Sequence, residues 1–422
     1  MEIRPVHHLD ATVEVPGSKS YTQRAIIIAA LAEGRSIISH VLLSEDTRYL
    51  MEALRVLGIK IFISGNDVII QGTGGKMRNP GQAIYLGNNG TALRFLATMV
   101  SLGKGEFLLD GSSRLRERPL KPLLDALKTL GVSSHSRDNK GYPPVRIDAQ
   151  GLRGGSVAFT DVESSQYISS LLIGAPYAAE DIEITLQGST VSEPYIEMTL
   201  HVMERFGAEI ERGDKNRFKV KSGRNYTGQK YVVEGDASSA SYFFLAAALC
   251  RGRVRVMNVN PESMQGDIKF LNIMESMGCS VVRGDSWVDV IGGPLYEGNV
   301  VFDMGNMPDM VPTLAVLAAF RQGSTAITNV SHLRLKESNR IAALVNELHR
   351  IGVNAEERDD GLVIEGGKPH GADIETYNDH RIAMSFAIGG LAVPKMKIKD
   401  KLCVGKSFPG FWDELKKLYG RS

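Results

Sequence analysis

At 422 residues, with 43% apolar and 23% charged side chains, the chain is long enough for two or three globular domains. Its 49 basic and 48 acidic residues leave a net charge of +1, which argues against a nucleic-acid binder relying on bulk charge but leaves room for local basic pockets. Three cysteines, Cys250, Cys279 and Cys403, are odd in number and far apart, a spacing that suits neither a disulfide framework nor a metal site.

The opening MEIRPVHHLD carries charges where a secretory signal needs an apolar stretch, and no apolar run reaches membrane-spanning length. We therefore expect a cytoplasmic protein with reduced thiols and no membrane partner. Residues 2–15 read as strand. Residues 16–34, PGSKSYTQRAIIIAALAEG, then join a Pro-Gly turn, a hydroxyl-rich segment with Lys19, Ser20 and Arg24, and an apolar helix. A helix start with free N–H groups, hydroxyls and fixed positive charge favours an anion, although an ordinary N-capped core helix fits the same letters.

This helix has relatives further along. LGNNGTALRFLATMVS, SSQYISSLLIGAPYAA, GDASSASYFFLAAALC, MPDMVPTLAVLAAF and YNDHRIAMSFAIGGLA each start polar and become apolar on every side. With Ser20, Thr91, Ser165, Ser238, Asp309 and Asp379 as markers, successive separations are 71, 74, 73, 71 and 70 residues. A helix apolar all round is a buried helix, so six are expected, their polar N-termini aimed at something common. A second helix alternates with them and ends at Gly58, Gly131, Gly207, Gly278 and Gly352, at separations of 73, 76, 71 and 74. FWDELKKLYG, ending at Gly420, supplies the sixth. Glycine accepts the left-handed conformation that closes a helix. Two short strand-like runs follow each of the first five, so each copy reads as a βαβαββ unit. None follows the sixth, and we expect the N-terminal run to complete it. Two domains of three units result, 14–227 and 1–13 with 228–422.

Several polar motifs stay ambiguous on their own. Arg94 lies one helical turn after Thr91; Arg114, Arg116 and Arg118 form either a solvated loop or a fork for phosphate or carboxylate. SSQY (Ser164, Ser165, Gln166, Tyr167) suits a polyol, a phosphate or a helix cap. Glu337 sits among Arg334, Lys336 and Arg340, either in a salt-bridged surface helix or as a positioned carboxylate. In YNDHRIAM, Asp379, His380 and Arg381 stand where a helix begins. No phosphate-loop GxxxxGK[ST], HExxH or GxSxG motif is present.

Taken together, PGSKSYTQRA, LGNNGTALR, RERPL, SSQY, VSEPY, GDASSASYF, PDMVPTLA, LKESNRIAA, YNDHRIAM and KSFPGFW resemble, in order and spacing, the blocks of the enolpyruvyl transferases, and among them the synthases of 5-enolpyruvylshikimate 3-phosphate. The resemblance implies an α/β (α+β) fold: a two-domain inverse α/β barrel of six βαβαββ repeats, helices inside the sheets, with the active site in the cleft between domains. It implies transfer of the enolpyruvyl group of phosphoenolpyruvate to the 5-hydroxyl of shikimate 3-phosphate by a monomer, without metal or organic cofactor and without nucleic acid. By matching positions, Lys19, Ser20, Arg24, Ser164, Ser165, Gln166, Ser192, Tyr195, Asp309 and Lys336 would hold shikimate 3-phosphate. Gly90, Arg94, Arg118, Arg340, Arg381 and Lys406 would hold phosphoenolpyruvate, with Lys19 and Gln166 bordering both. Asp309 is the candidate base, Glu337 the candidate acid, and Lys19 a participant. Asn89 and Phe95 depart from the alanine and proline of familiar members, while Gly90 is kept, so sensitivity to glyphosate is expected. The UDP-N-acetylglucosamine enolpyruvyl transferases fit less well, since residues 110–119 lack their reactive cysteine. A non-catalytic anion-binding repeat protein is the alternative from another class.

Overall fold

Six stretches that are apolar on every side become helices buried on nearly every side. The computed structural model describes residues 1–188, 192–213 and 216–420, so Val191 of the VSEPY block lies outside the described residues. Two units emerge, Lys19–Val233 and Met1–Ser18 with Glu234–Ser422, each around its own apolar core. In Lys19–Val233 the helices α1 (Lys19–Leu31), α2 (Glu45–Val56), α3 (Gly90–Ser101), α4 (Lys121–Thr129), α5 (Gln166–Gly174) and α6 (Pro194–Arg205) follow in order. The other unit holds α7 (Ala237–Cys250), α8 (Phe270–Ser276), α9 (Val311–Ala319), α10 (Arg340–Arg350), α11 (His380–Gly389) and α12 (Phe411–Lys417).

The odd-numbered helices are buried along nearly their whole length; α3 packs on α5, and α11 on α7 and α9. Even-numbered helices bury one stripe only. In α2, Leu50, Met51, Ala53 and Leu54 face the core while Glu52 faces water, the spacing a 3.6-residue period requires. The glycines after these helices, Gly58, Gly131, Gly207, Gly278, Gly352 and Gly420, all have φ between +75° and +98°. That conformation places a Cβ too close to the backbone for other residues, which is why glycine recurs there.

One strand order recurs. Ile84–Tyr85 lies parallel to Lys104–Asp110, which pairs antiparallel with Tyr142–Gln150, which pairs in turn with Ser133–Arg137. The parallel pair is joined through α3, because parallel neighbours need a crossover too long for a hairpin. The same first-second-fourth-third order orders Gly155–Thr160, Ile182–Gln187, Arg217–Val220 and Ile210–Arg212, and also Val300–Asp303, Gly323–Thr328, Gly361–Gly366 and Asn354–Arg358.

Two sheets take their first strand from a distant part of the chain. Lys230–Val232 lies parallel to Arg35–Ser39, and Asp10–Glu14 lies parallel to Arg253–Met257. The N-terminal run, expected to supply the strands of the last repeat, is divided between two sheets. Glu2–Ile3 pairs with Met396–Ile398 and so joins the sheet beside α11, whereas Asp10–Glu14 closes the sheet that follows α7. Pro5, which has no N–H to donate, separates the two, and each part buries its own alternate residues, Ile3 in one and Ala11 and Val13 in the other. No helix among the described residues is long and apolar enough to cross a membrane.

Candidate active site

In the unit Lys19–Val233, the starts of α1, α3 and α5 gather the polar residues. Asn89 caps α3: its Oδ1 accepts from the Ala92 N–H at 2.9 Å, and its Nδ2 donates to Gln23 Oε1 at 2.9 Å and the Asp46 carbonyl at 2.7 Å. Alanine could make none of these bonds, and a cap of this kind contributes about 1 kcal/mol. Lys19 Nζ lies 3.3 Å from Asp46 Oδ2.

Arg24 is 1% exposed and has no carboxylate partner among the described residues. Its guanidinium donates to Thr199 Oγ1 at 2.7 Å and to the carbonyls of Ser20 and Tyr195 at 3.0 Å each, and lies over the rings of Phe95 and Tyr195. Phe95, the second departure from the family pattern, is thus part of the floor beneath this cation. Burial pulls the Arg24 pKa down to about 10, partly offset by the neighbouring tyrosines, so it stays charged near neutrality.

Arg94 donates to Gln166 Oε1 at 2.9 Å, to the Pro119 carbonyl at 3.1 Å and to the Gly90 carbonyl at 3.3 Å. Gln166 in turn donates to Thr91 Oγ1 at 3.0 Å, which ties α5 to α3. Ser164 and Ser165 are buried just before α5, and Ser164 Oγ accepts from the Gln166 N–H at 3.3 Å. Ser192 is buried with φ +61°, immediately before α6 and Tyr195.

The arginine run divides. Arg114 and Arg116 are spent on Glu117 and Asp110 at the surface, each 2.6 Å away, whereas Arg118 is buried against Gly90. A Cβ at Gly90 would stand 2.4 Å from the Arg118 Cζ, so this glycine makes room for a guanidinium.

In the other unit the polar residues converge on one carboxylate. Asp309 sits in the helical turn Pro308–Met310 that opens α9; Arg340 and Arg381 are the first and second residues of α10 and α11. Arg340 Nη1 donates to Asp309 Oδ1 at 2.8 Å and Arg381 Nη2 to Asp309 Oδ2 at 2.6 Å. Arg340 also reaches Glu337 Oε2 and Asp379 Oδ2, each at 2.8 Å. Burial pushes the Asp309 pKa up, but the positive charge of Arg381, Arg340 and Lys336 outweighs it and holds the carboxyl well below its ordinary range. Burial opposes the Arg340 charge in the same way, and Asp379, Glu337 and Asp309 together raise its pKa. Asp309 is nevertheless 22% exposed, so solvent reaches it. Lys336 is half-buried beside this cluster, and Lys406 is buried at the end of the turn Lys401–Lys406.

Four residues join the cluster that sequence reasoning left as caps or did not single out. Asp379 caps α11 through the Arg381 N–H and clamps Arg340, a role that only its neighbours in space reveal. Tyr242 on α7 accepts from Arg381 at 3.3 Å, and burial lifts its pKa to about 12. Asp267 is bonded by the Ser238 hydroxyl; burial and the Asp309 charge push it up to about 7. His332 is buried, neither ring nitrogen has a hydrogen-bond partner among the described residues, and burial, with Lys336 and Arg340 acting in the same direction, pushes it down to about 3. Among the described residues, no group of three or more His, Cys, Asp or Glu side chains is placed to hold a metal ion.

Comparison with known proteins places this chain in a family. The family model for EPSP synthase (3-phosphoshikimate 1-carboxyvinyltransferase) matches residues 3–415. The chain is 44% identical to the 3-phosphoshikimate 1-carboxyvinyltransferase of Nostoc punctiforme over 411 residues, 97% of this chain and 96% of the relative. It is 44% identical to that of Methanoculleus marisnigri over 408 residues, 96% of each. The solved EPSP synthase of Acinetobacter baumannii superposes with a TM-score of 0.80 at 28% identity, covering 99% of this chain and 97% of that one. With ten blocks in order and buried arginines at four of the helix starts, the chain belongs to the EPSP synthase family.

Proposed function

We infer that this chain transfers the enolpyruvyl group of phosphoenolpyruvate to the 5-hydroxyl of shikimate 3-phosphate and releases phosphate. The observation that carries the reading to particular residues is the Asp309 carboxylate, clasped by two buried guanidiniums and still open to solvent. Addition to an enol phosphate needs a proton acceptor beside a site for anions, and a carboxylate between two guanidiniums suits both needs.

The acceptor's 5-hydroxyl oxygen bonds to C2 of phosphoenolpyruvate as its proton passes to Asp309, and the methylene carbon takes a proton from Glu337, which carries one for this step once phosphoenolpyruvate has claimed Arg340, with Lys19 assisting. The tetrahedral intermediate then breaks its C2–O bond to phosphate, and the methyl group returns a proton to the Glu337 carboxylate, which restores the methylene. With Arg340 and Arg381 on it, Asp309 is a weak base. The phosphate and carboxylate of phosphoenolpyruvate compete for the same guanidiniums, so substrate binding returns basicity to Asp309 at the moment it is needed. We read Lys406 in the same unit, and Arg118, Arg94 and the backbone at Gly90 in the other, as further ligands for phosphoenolpyruvate. In Lys19–Val233, a buried Arg24 without a carboxylate partner among the described residues suits the acceptor's carboxylate, and Lys19, Ser20, Ser164, Ser165, Gln166, Ser192 and Tyr195 suit its phosphate and hydroxyls; from the other unit, Lys336 is read as a further ligand of the acceptor.

We read the recurring strand order as two inverse α/β barrels of three βαβαββ repeats each, in a cytoplasmic monomer that uses neither metal nor organic cofactor. The test is phosphate release from phosphoenolpyruvate with shikimate 3-phosphate, run beside UDP-N-acetylglucosamine. Release with the first acceptor alone is expected; release with neither, from folded protein, overturns the reading.

A further inference from the structure

Glu347 is a fully buried acid that the reaction above does not use. It lies on α10 seven residues after Arg340, two helical turns, and therefore on the same face. Its carboxylate accepts from the Tyr377 hydroxyl at 2.8 Å and the Glu375 N–H at 3.1 Å, both in the segment that leads into α11, and from its helix neighbour Arg350 Nε at 3.1 Å. A buried carboxylate is costly, and an apolar side chain would fill the core at less expense, so its contribution is sought in geometry.

That geometry is on view in the segment it holds. Tyr377 and Asn378 have φ +54° and +53°, two consecutive non-glycine residues in a conformation that L-residues disfavour, tyrosine more than asparagine. The turn is closed by the Asp379 N–H bonding to the Thr376 carbonyl at 2.8 Å. It delivers Asp379 to Arg340 and Ser338, and Arg381 to Asp309. Helix α10 thus grips the segment twice, at Asp379 through Arg340 and at Glu375 and Tyr377 through Glu347. The first grip uses a guanidinium that the substrate also claims; the second does not.

We propose that Glu347 is a positioning residue for the phosphoenolpyruvate site, holding the left-handed Tyr377–Asn378 turn so that Arg381 stays aimed when the substrate engages Arg340. This rests on the reading that Arg340 and Arg381 bind phosphoenolpyruvate. The experiment is steady-state kinetics on Glu347→Gln, Tyr377→Phe, their double variant, Arg350→Ala and Arg381→Lys. Loss of the tether is expected to raise KM for phosphoenolpyruvate about tenfold in the first two, with KM for shikimate 3-phosphate within about twofold of the parent. The double variant is expected to be no worse than the poorer single one, and Arg350→Ala to match the parent, since Arg350 reaches solvent. Parental KM for phosphoenolpyruvate in folded Glu347→Gln and Tyr377→Phe overturns the proposal, as does a rise in both KM values together. Should Glu347→Gln not fold, Tyr377→Phe, which removes one hydroxyl, decides alone. If Arg381→Lys raises KM for phosphoenolpyruvate and Tyr377→Phe does not, only this inference fails; if Arg381→Lys has no effect, the underlying reading fails.

Discussion

Single residues in this protein do opposing jobs through small differences in surroundings. Arg24 is buried among neutral acceptors and Arg340 among three carboxylates, so the first waits for an anion and the second already holds three. Replacing Arg24 by Met is predicted to weaken binding of shikimate 3-phosphate by roughly tenfold or more, as loss of a charge-assisted hydrogen bond does, while shifting stability by less than about 2 kcal/mol. Isothermal titration and denaturant melts check the two halves, and undiminished affinity would remove Arg24 from the site. Asp309→Asn is expected to lower kcat by about 10²-fold or more, the usual contribution of a positioned base, with near-normal turnover ruling the role out. Gly90→Ala should raise KM for phosphoenolpyruvate, because its methyl would overlap the Arg118 guanidinium.

His332 gives a pH signature. Its folded pKa of about 3 lies below its unfolded value of about 6.5, so between those values the unfolded chain binds the extra proton and stability falls as pH falls. His332→Gln removes that penalty. Relative to the parent it is predicted to gain up to about 2 kcal/mol on going from pH 8 to pH 5, measured by urea unfolding, and an unchanged difference would contradict the account.

At the level of elements, the sequence was most informative about helices and least about strand partners. All-round apolarity and recurring glycines marked the buried helices and the ends of the others, since both are local properties. The pattern DATVE in Asp10–Glu14 shows which face is buried but not that its partner lies at Arg253–Met257, because pairing depends on the rest of the fold. The site was legible to the same degree. Lys19, Arg24 and Arg381 stood at helix starts, while nothing local distinguished Arg118 from Arg114 and Arg116, and only the fold shows Asp379 holding Arg340.

The helix-ending glycines allow a comparison. Gly207 and Gly278 share nearly the same φ, +97° and +98°, but a Cβ at Gly207 meets nothing within 4 Å, whereas one at Gly278 would lie 2.3 Å from the Pro294 carbonyl oxygen. Gly207→Ala is therefore predicted to cost about 1 kcal/mol from backbone strain alone, and Gly278→Ala distinctly more. Equal losses in chemical denaturation would mean that packing at these ends does not matter.

For the whole molecule, each unit supplies candidate ligands: Lys19 and Arg24 in one, Arg340 and Arg381 in the other. The central claim is the chemistry itself, addition to the enol carbon followed by loss of phosphate. It is tested most directly by incubating the protein with phosphoenolpyruvate and shikimate 3-phosphate in D2O and following proton and phosphorus NMR spectra. The account predicts free phosphate, an enolpyruvyl ether, and deuterium in its methylene group, because that carbon passes through a methyl intermediate. Pyruvate with a newly phosphorylated acceptor, or a product without deuterium, would contradict it.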